Sequence, residues 1–196
     1  MGKLVVAEFI TLDGVIQAPG GTEEDTEGGF THGGWTMPYW HDDIGARFME
    51  AMSQTEAFLL GRKTWQIHGG AFEPMEAGDP FGDLMNAMKK YVVSTTLKNA
   101  SAWRNSTLIQ GDVVGKVREL KSKAAKDLYL DGSSVLAHTL IQADLVDEYR
   151  LLLYPVLLGG GKKLFPDGKR ANLKVIESKS FPTGVMLMRY VPDRSA

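Results

Sequence analysis

The segment "AFLLGRKTWQIHGG" (residues 57–70) is the most informative stretch of the chain for the fold. Its apolar run predicts a short buried strand that ends at Gly61, and the residues after it predict a helix. Arg62, Lys63 and Thr64 therefore fall where a strand passes into a helix. Cations at a helix N-terminus oppose the helix dipole and are unfavourable unless an anion offsets them. This junction therefore predicts a binding site for an anionic ligand.

Strand and helix patterns alternate along the rest of the chain, and glycine-containing turns separate them. The predicted strands are 3–10, 57–60, 91–95, 107–110, 128–130, 146–153, 173–180 and 185–191, and the predicted helices are 42–54, one after Thr64, 113–124 and one after the serines at 133–134. The last two strands join at "FPTG" as a hairpin. The pattern predicts a three-layer α/β/α fold with a mainly parallel mixed sheet and an antiparallel C-terminal hairpin, with residues 1–196 as one domain.

The composition and net charge indicate which classes of binding partner to expect. The chain has 196 residues, of which 43% are hydrophobic and 23% charged, and its net charge is -2. This charge gives no electrostatic reason to expect nucleic acid or an anionic membrane as partner. There is no cysteine, and the four histidines show no ligand-like spacing, so no metal site is predicted. Because Glu8 interrupts the N-terminal apolar run, no signal peptide or membrane span is predicted, and we expect a cytoplasmic protein with a small-molecule partner.

A second strand-to-helix junction occurs at "LDGSSVLAH" (residues 130–138). Gly132 permits close approach, and the N–H groups of residues 133–136 could hold a pyrophosphate. The candidate residues here are Gly132, Ser133, Ser134, Val135 and Leu136. The alternative interpretation is an ordinary turn at Gly132, followed by serines that act only as helix caps.

A third strand end, at "VVSTTL", carries Ser94 and Thr95, whose small side chains leave room for a ring or a phosphate.

At the first junction, Arg62 and Lys63 could alternatively form a solvated helix start without a ligand. Together the three junctions predict a ligand with a pyrophosphate near Gly132 and a separate phosphate near Arg62. NADP has this shape.

The order of these motifs is recognisable. "TLDGVIQAPGG", "LLGRKTW", "KYVVSTTL", "LYLDGSSVLAHTL" and "LVDEYRLLLYPVLLGGGKKLF" follow one another along the chain. In this order they resemble the dihydrofolate reductase-like superfamily, and more closely the reductase domain of bacterial riboflavin biosynthesis and its stand-alone relatives. The resemblance implies an NADPH-dependent reductase. It assigns the 2'-phosphate to the Gly61 junction with Arg62, Lys63 and Thr64, the adenine ribose to Ser94 and Thr95, and the pyrophosphate to residues 132–136.

Candidates for catalysis and substrate binding lie near the N-terminus. The resemblance places the end of the first strand beside the nicotinamide, so Asp13 is the predicted proton donor, with Asp42 and Asp43 as alternatives. Asp13 could equally be part of an Asp-Gly turn. The loop 17–40 is rich in glycine and aromatics, and the predicted substrate-binding residues in it are Trp35, Tyr39 and Trp40. These aromatics could instead seal the loop onto the core.

Three functions are compatible with the sequence. The first is an NADPH-dependent reductase of a small heterocycle, resembling 5-amino-6-(5-phosphoribosylamino)uracil reductase, with dihydrofolate reduction proper as a variant. The second is an NADP-binding module without catalysis, and the third is a structural oligomer with a vestigial pocket. The apolar run 146–158 is compatible with a homodimer contact or with a buried central strand.

Overall fold

The computed structural model describes residues 1–195, which form an eight-stranded sheet with helices packed on both faces. The strands are β1 (Leu4–Thr11), β2 (Thr55–Gly61), β3 (Lys89–Val93), β4 (Ser106–Ile109), β5 (Asp127–Asp131), β6 (Glu148–Tyr154), β7 (Leu173–Ser180) and β8 (Met186–Pro192). The helices are α1 (Asp42–Ser53), α2 (Arg62–Phe72), α3 (Pro80–Ala87), α4 (Val113–Lys123) and α5 (Ser134–Gln142). Each helix in the described residues is too short or too polar to cross a lipid bilayer.

The strand order is β4-β3-β2-β5-β1-β6-β8-β7. The six strands from β4 to β6 are parallel, whereas β8 runs antiparallel to both β6 and β7. The predicted fold class, a mainly parallel mixed sheet with an antiparallel C-terminal hairpin, is therefore confirmed. The order places β5 between β1 and β2, so strands distant in the sequence end next to one another.

The central strand β1 is buried on both faces. Leu4 and Val6 belong to the apolar core beneath α4 and α5, whereas Val5 and Ala7 belong to the core beneath α1, α2 and α3. This alternation explains why β1 reads as a continuous apolar run, since both faces of a parallel sheet are covered by helices. A third apolar cluster packs the loop 17–40 against the end of β6.

Two features of the fold differ from the sequence-based prediction. α3 was not predicted, although Asp79 caps its N-terminus through the N–H of Gly82 and Pro80 occupies its first turn. β3 ends at Val93, two residues earlier than predicted. Ser94 and Thr95 consequently lie in the turn beyond the strand.

The interior position of β6 explains the apolar run 146–158. β6 pairs with β1 on one side and with β8 on the other, so its backbone is not available to a second chain. The edges of the sheet are β4 and β7. This run therefore gives no support to a homodimer, which stays a prediction.

The loop 17–40 is fastened at both ends. The Gln17 amide donates to the carbonyls of residues 25 and 27 and accepts from the backbone N–H of Lys162, and the Trp35 indole donates to the Gln17 carbonyl at 2.8 Å. The segment 158–164 supports the loop, because Gly161 adopts φ +121° and packs where a Cβ atom would lie 2.9 Å from the ring of Phe30. Gly161, the last glycine of the run after β6, is thus packed against the loop.

A buried charge network lies at the start of the interior strand β6. The Glu148 side chain is fully buried, and its carboxylate accepts hydrogen bonds from Arg150 at 2.7 Å, Arg189 at 2.8 Å and Lys3 at 3.2 Å. Burial by itself would raise the pKa of Glu148, but hydrogen bonds and attraction from the two arginines outweigh it and lower the pKa to about 2.

We predict that Glu148→Gln lowers the free energy of unfolding by about 3 to 5 kcal/mol at pH 7, because it leaves the cations of this network without their buried partner. The lowered pKa gives a stabilising contribution that is complete above pH 4.5 and is lost as the pH falls towards about 2. The difference between variant and wild type should therefore shrink over this range, as measured by urea unfolding.

Glu119→Gln is the matched control, because Glu119 pairs with Lys123 on the exposed face of α4. It should leave stability unchanged within error. A loss of less than about 1 kcal/mol for Glu148→Gln, the value of an exposed pair, would contradict the prediction.

Candidate functional site

The carboxyl ends of the interior strands β2 and β5 lie side by side. Leu59 pairs with Leu130 in their parallel ladder. α2 follows β2 without a break, and α5 follows β5 after two residues. The N-termini of α2 and α5 are therefore neighbours at the carboxyl ends of the strands, where parallel sheets bind ligands. We call residues 61–64 and 132–136 the paired-helix corner.

A serine hydroxyl joins the two halves of the corner. The backbone N–H of Gly61 donates to Ser133 Oγ at 2.7 Å, and the Ser133 hydroxyl donates to Thr64 Oγ1 at 2.9 Å. Ser133 occupies the N-cap position of α5 but makes no capping hydrogen bond. Gly132 adopts φ +58°, and a Cβ atom there would lie 2.9 Å from Thr64 Oγ1. Glycine is required at 132 by the backbone angle and by the close approach of α2.

The helices of the corner differ from the other three at their N-termini. α1, α3 and α4 each have a side-chain cap, supplied by His41, Asp79 and Asp112 respectively. α2 and α5 have none. Their first backbone N–H groups lack intrahelical acceptors and carry the positive end of the helix dipole. The corner thus has two neighbouring sets of free backbone donors, which suit a phosphate group.

The two cations of the corner have different surroundings. Arg62 is exposed, and its guanidinium donates to Gln66 Oε1 at 2.9 Å. No acidic side chain of residues 1–195 lies within ion-pair distance of Arg62. The Lys63 ammonium, in contrast, contacts Asp25 at 2.6 Å and Glu27 at 3.0 Å. The chain therefore supplies its own anions to Lys63 and leaves Arg62 available to a ligand.

Lys63 belongs to a cluster of four charges, which also contains Asp25, Glu27 and Lys162. The Lys162 ammonium contacts Asp25 at 2.7 Å and also pairs with Glu27. Burial raises the pKa of Asp25, but hydrogen bonds from Lys162 and Lys63 outweigh it and lower the pKa to about 2. We call these residues the four-charge cluster. It holds the loop 17–40 against the start of α2 and against the segment 158–164.

The other predicted cofactor-binding residues lie after the end of β3 and in the first turn of α5, beside or within the corner. Ser94 follows Val93, which pairs with Gly61, so the end of β3 adjoins the corner. The Ser94 hydroxyl accepts from the N–H groups of residues 96 and 97 and is thus engaged in its own turn, whereas Thr95 is exposed. In the first turn of α5, Ser134 is partly buried, Leu136 packs in the core and the Val135 side chain is 79% exposed. Backbone groups are therefore what this turn offers to a ligand.

The contacts of Asp13 argue against the predicted proton-donor role. Its carboxylate accepts from the Thr11 hydroxyl and from the backbone N–H groups of Leu158 and Gly159. The Thr11 hydrogen bond, followed by the backbone hydrogen bonds, lowers the pKa of Asp13. A general acid needs a pKa near the working pH, whereas this carboxylate is held in its ionised form. Asp13 therefore braces the turn after β1 against the segment after β6. The alternatives Asp42 and Asp43 are exposed in the first turn of α1.

The three aromatic residues predicted to bind substrate separate into two groups. Trp35 is buried, and both Trp35 and Tyr39 pack edge-on against Tyr154, with ring centroids 5.2 and 5.8 Å away. These two residues seal the loop 17–40 onto the end of β6. Trp40 is 54% exposed and lies over Gly45 of α1. Trp40 is thus the one of the three that presents a large ring surface to solvent.

A cluster of titratable side chains beneath the corner was missed by sequence reasoning. His68 Nε2 lies 2.7 Å from Asp131 Oδ2, and Glu24 and Glu8 act electrostatically on this pair. Glu8 is buried, and its Oε1 has no hydrogen-bond partner among the described residues. Two features of the sequence could have indicated this cluster: Glu8 lies inside an apolar strand, and Asp131 directly precedes Gly132. No set of three or more such residues within 1–195 is arranged to hold a metal ion.

Comparisons with known proteins agree with this architecture. A family model described as the RibD C-terminal domain matches residues 2–187. The uncharacterized protein YyaP of Bacillus subtilis (strain 168) is 31% identical over 192 residues, which cover 96% of this chain and 94% of the relative.

Two solved structures have a similar fold. A putative riboflavin biosynthesis protein from Shewanella sp. PV-4 has a TM-score of 0.68 at 21% identity, covering 99% of this chain and 100% of the other. Dihydrofolate reductase from Enterococcus faecalis, solved in complex with NADP(H), has a TM-score of 0.62 at 14% identity, covering 98% and 97%. The architecture is therefore the dihydrofolate reductase-like fold, and the chain belongs to the RibD C-terminal domain family.

Proposed function

We propose that this protein is an NADPH-dependent reductase of a small heterocyclic substrate. The observation that carries the proposal is the paired-helix corner, where two helices without side-chain caps meet around a glycine that no other residue could replace without a clash. Two comparisons support this proposal. The chain belongs to the RibD C-terminal domain family, and its fold is similar to that of a dihydrofolate reductase solved in complex with NADP(H).

The corner fits the pyrophosphate of a dinucleotide. The free N–H groups at the start of α2 and α5 follow neighbouring strand ends, and Gly132 allows the Thr64 side chain to pack closely against the turn before α5. The Ser133 hydroxyl holds the two helix starts at a fixed separation, so little ordering is required when an anion binds. Residues 61–64 and 132–136 would hold this group.

Arg62 fits the additional 2'-phosphate of NADP. It is exposed at the first position of α2, and its guanidinium has free donors. Lys63 can contribute only by exchanging its pairs with Asp25 and Glu27 for a ligand phosphate. We therefore assign cofactor discrimination to Arg62 and a secondary role to Lys63.

Family membership supports a precursor of riboflavin, 5-amino-6-(5-phosphoribosylamino)uracil, as the substrate to test first. The reduced nicotinamide supplies a hydride, and the protein has to position the acceptor against it and exclude water. The loop 17–40 is suited to this second task, because the four-charge cluster and Trp35 fasten it beside the corner. The cytoplasmic location and the homodimer stay predictions.

We predict that Arg62→Ala removes most of the preference for NADPH over NADH. A hydrogen bond to a charged group contributes roughly 1.5 to 3 kcal/mol, so the wild type should bind NADPH about tenfold to a hundredfold more tightly than NADH. Isothermal titration calorimetry measures both affinities. Arg118→Ala, an exposed arginine on α4, is the control and should leave the preference intact. Equal affinities of the Arg62 variant and the wild type for NADPH would exclude this assignment.

We predict a different signature for Gly132→Ala. The new Cβ atom has to displace Thr64 at an unfavourable backbone angle, so the two helix starts should separate. Because the pyrophosphate is common to both dinucleotides, the affinities for NADPH and NADH should fall together by at least about tenfold, which corresponds to 1.4 kcal/mol. Calorimetry provides the test.

Gly70→Ala is the matched control, because Gly70 lies in α2 and an added Cβ would meet nothing within 4 Å. It should stabilise the helix slightly and leave binding unchanged. If both glycine variants bind the dinucleotides as the wild type does, the corner is not the pyrophosphate site.

A further inference from the structure

The hydrogen-bonded pair His68 and Asp131 lies directly beneath the paired-helix corner. Asp131 is the last residue of β5 and precedes Gly132, and His68 is one helical turn beyond Thr64 in α2. The two side chains meet at 2.7 Å and are 22% and 30% exposed, respectively. The pair is therefore partly open to solvent at the carboxyl end of β5, next to the corner.

The surroundings of His68 favour its protonated form. Burial lowers the pKa of His68, but the hydrogen bond and charge of Asp131 on β5 and the charge of Glu24 in the loop 17–40 outweigh it, so that the pKa is raised. Glu24 is itself partly desolvated and accepts from the N–H groups of residues 20 and 21. Glu8 on β1 is a neighbour of Asp131, and burial together with the charge of Asp131 raises the pKa of Glu8.

The other side of the histidine ring is apolar. His68 packs against Phe72 and Trp103, with ring centroids 5.9 and 6.4 Å away. Asp131 therefore fixes the orientation of the ring through Nε2, which leaves Nδ1 without a hydrogen-bond partner among the described residues. A histidine oriented by a carboxylate and retaining one free nitrogen is the arrangement that general acids use.

Reduction of a C=N or C=O bond needs a proton as well as a hydride, and Asp13 is unsuited to supply it. We propose that His68, oriented by Asp131, is the proton donor of the reaction. This inference rests on the proposed reductase function. The substrate carbon accepts a hydride from a reduced nicotinamide dinucleotide, which is oxidised, and the π-electrons of the C=N or C=O bond move to its nitrogen or oxygen. That atom takes the proton of the His68 imidazolium, and solvent then protonates His68 again.

The first test uses NMR and needs no turnover. Histidine resonances are titrated in the wild type, in Asp131→Asn and in His68→Gln, which identifies the signal, each with and without saturating NADP+. We expect a His68 pKa above 6.5 that falls in Asp131→Asn, and a His68 resonance that shifts when NADP+ binds. The resonance of His138, which contacts the Lys163 carbonyl on the far side of α5, should shift less and serves as the internal control.

The second test uses NADPH and 5-amino-6-(5-phosphoribosylamino)uracil. His68→Gln should lower kcat by about a hundredfold to ten-thousandfold, the range for loss of a general acid, and should abolish the alkaline limb of the pH profile. The Kd for NADP+ should remain within about threefold of wild type, equivalent to about 0.7 kcal/mol. His138→Gln, the control variant, should keep the wild-type kcat.

The outcomes separate the two proposals. If calorimetry detects no binding of NADP+ or NADPH, the reductase function fails, and the proton-donor role fails with it. If the dinucleotide binds but the His68 resonance and pKa do not respond to it or to Asp131→Asn, His68 is not at the reacting end of the site and only this inference is overturned. A His68→Gln variant with wild-type kcat and pH profile overturns it in the same way.

Discussion

The Ser133 hydroxyl is the contact on which the candidate site depends. By accepting from the Gly61 N–H and donating to Thr64, it fixes the start of α2 against the start of α5. Without this link, two uncapped helix N-termini with parallel positive ends would repel each other, and each would need water or a side chain to satisfy its free donors. With the Ser133 link, the free N–H groups of both helix N-termini are held next to each other. The close packing is possible because Gly132 has no side chain to place against Thr64.

The four-charge cluster gives the loop 17–40 a defined position beside this corner. Asp25 and Glu27 neutralise Lys63 and Lys162, which belong to α2 and to the segment after β6. The loop is therefore attached to the same helix that carries Arg62. Since Glu24 of this loop also acts on His68, the position of the loop influences both the charge at the corner and the pKa beneath it. The residue proposed to bind the 2'-phosphate, the lysine that holds the loop and the proposed proton donor therefore all lie on α2.

The fold could be inferred from the sequence to a large extent, whereas the site could be inferred only in part. Apolar runs and glycine turns located the strands, because burial on both faces makes parallel strands uniformly apolar. Asp13 was interpreted as catalytic because of its place at the end of the first strand, but its hydrogen bonds to the segment after β6 come from residues 145 and 146 positions away. His68 was not predicted to be a functional residue, because a single histidine in a helical segment is not a signal by itself. Its partner Asp131 is 63 residues away in the sequence, and only the fold places the two side chains together.

The sequence by itself determined the strands, four of the five helices and their order from local periodicity and turn chemistry, and the family from the order of its motifs. It also predicted an anion-binding junction at residues 61–64 from the local charge. Only the tertiary structure decided which charged side chains pair with one another and which remain free. Lys63 is neutralised by Asp25 and Glu27, Arg62 is left free, Trp35 seals a loop, and His68 receives its partner from another strand. The physical reason is that electrostatic and hydrogen-bond energies depend on distance in space, and the strand order of the sheet brings together residues whose separation along the chain conceals the contact.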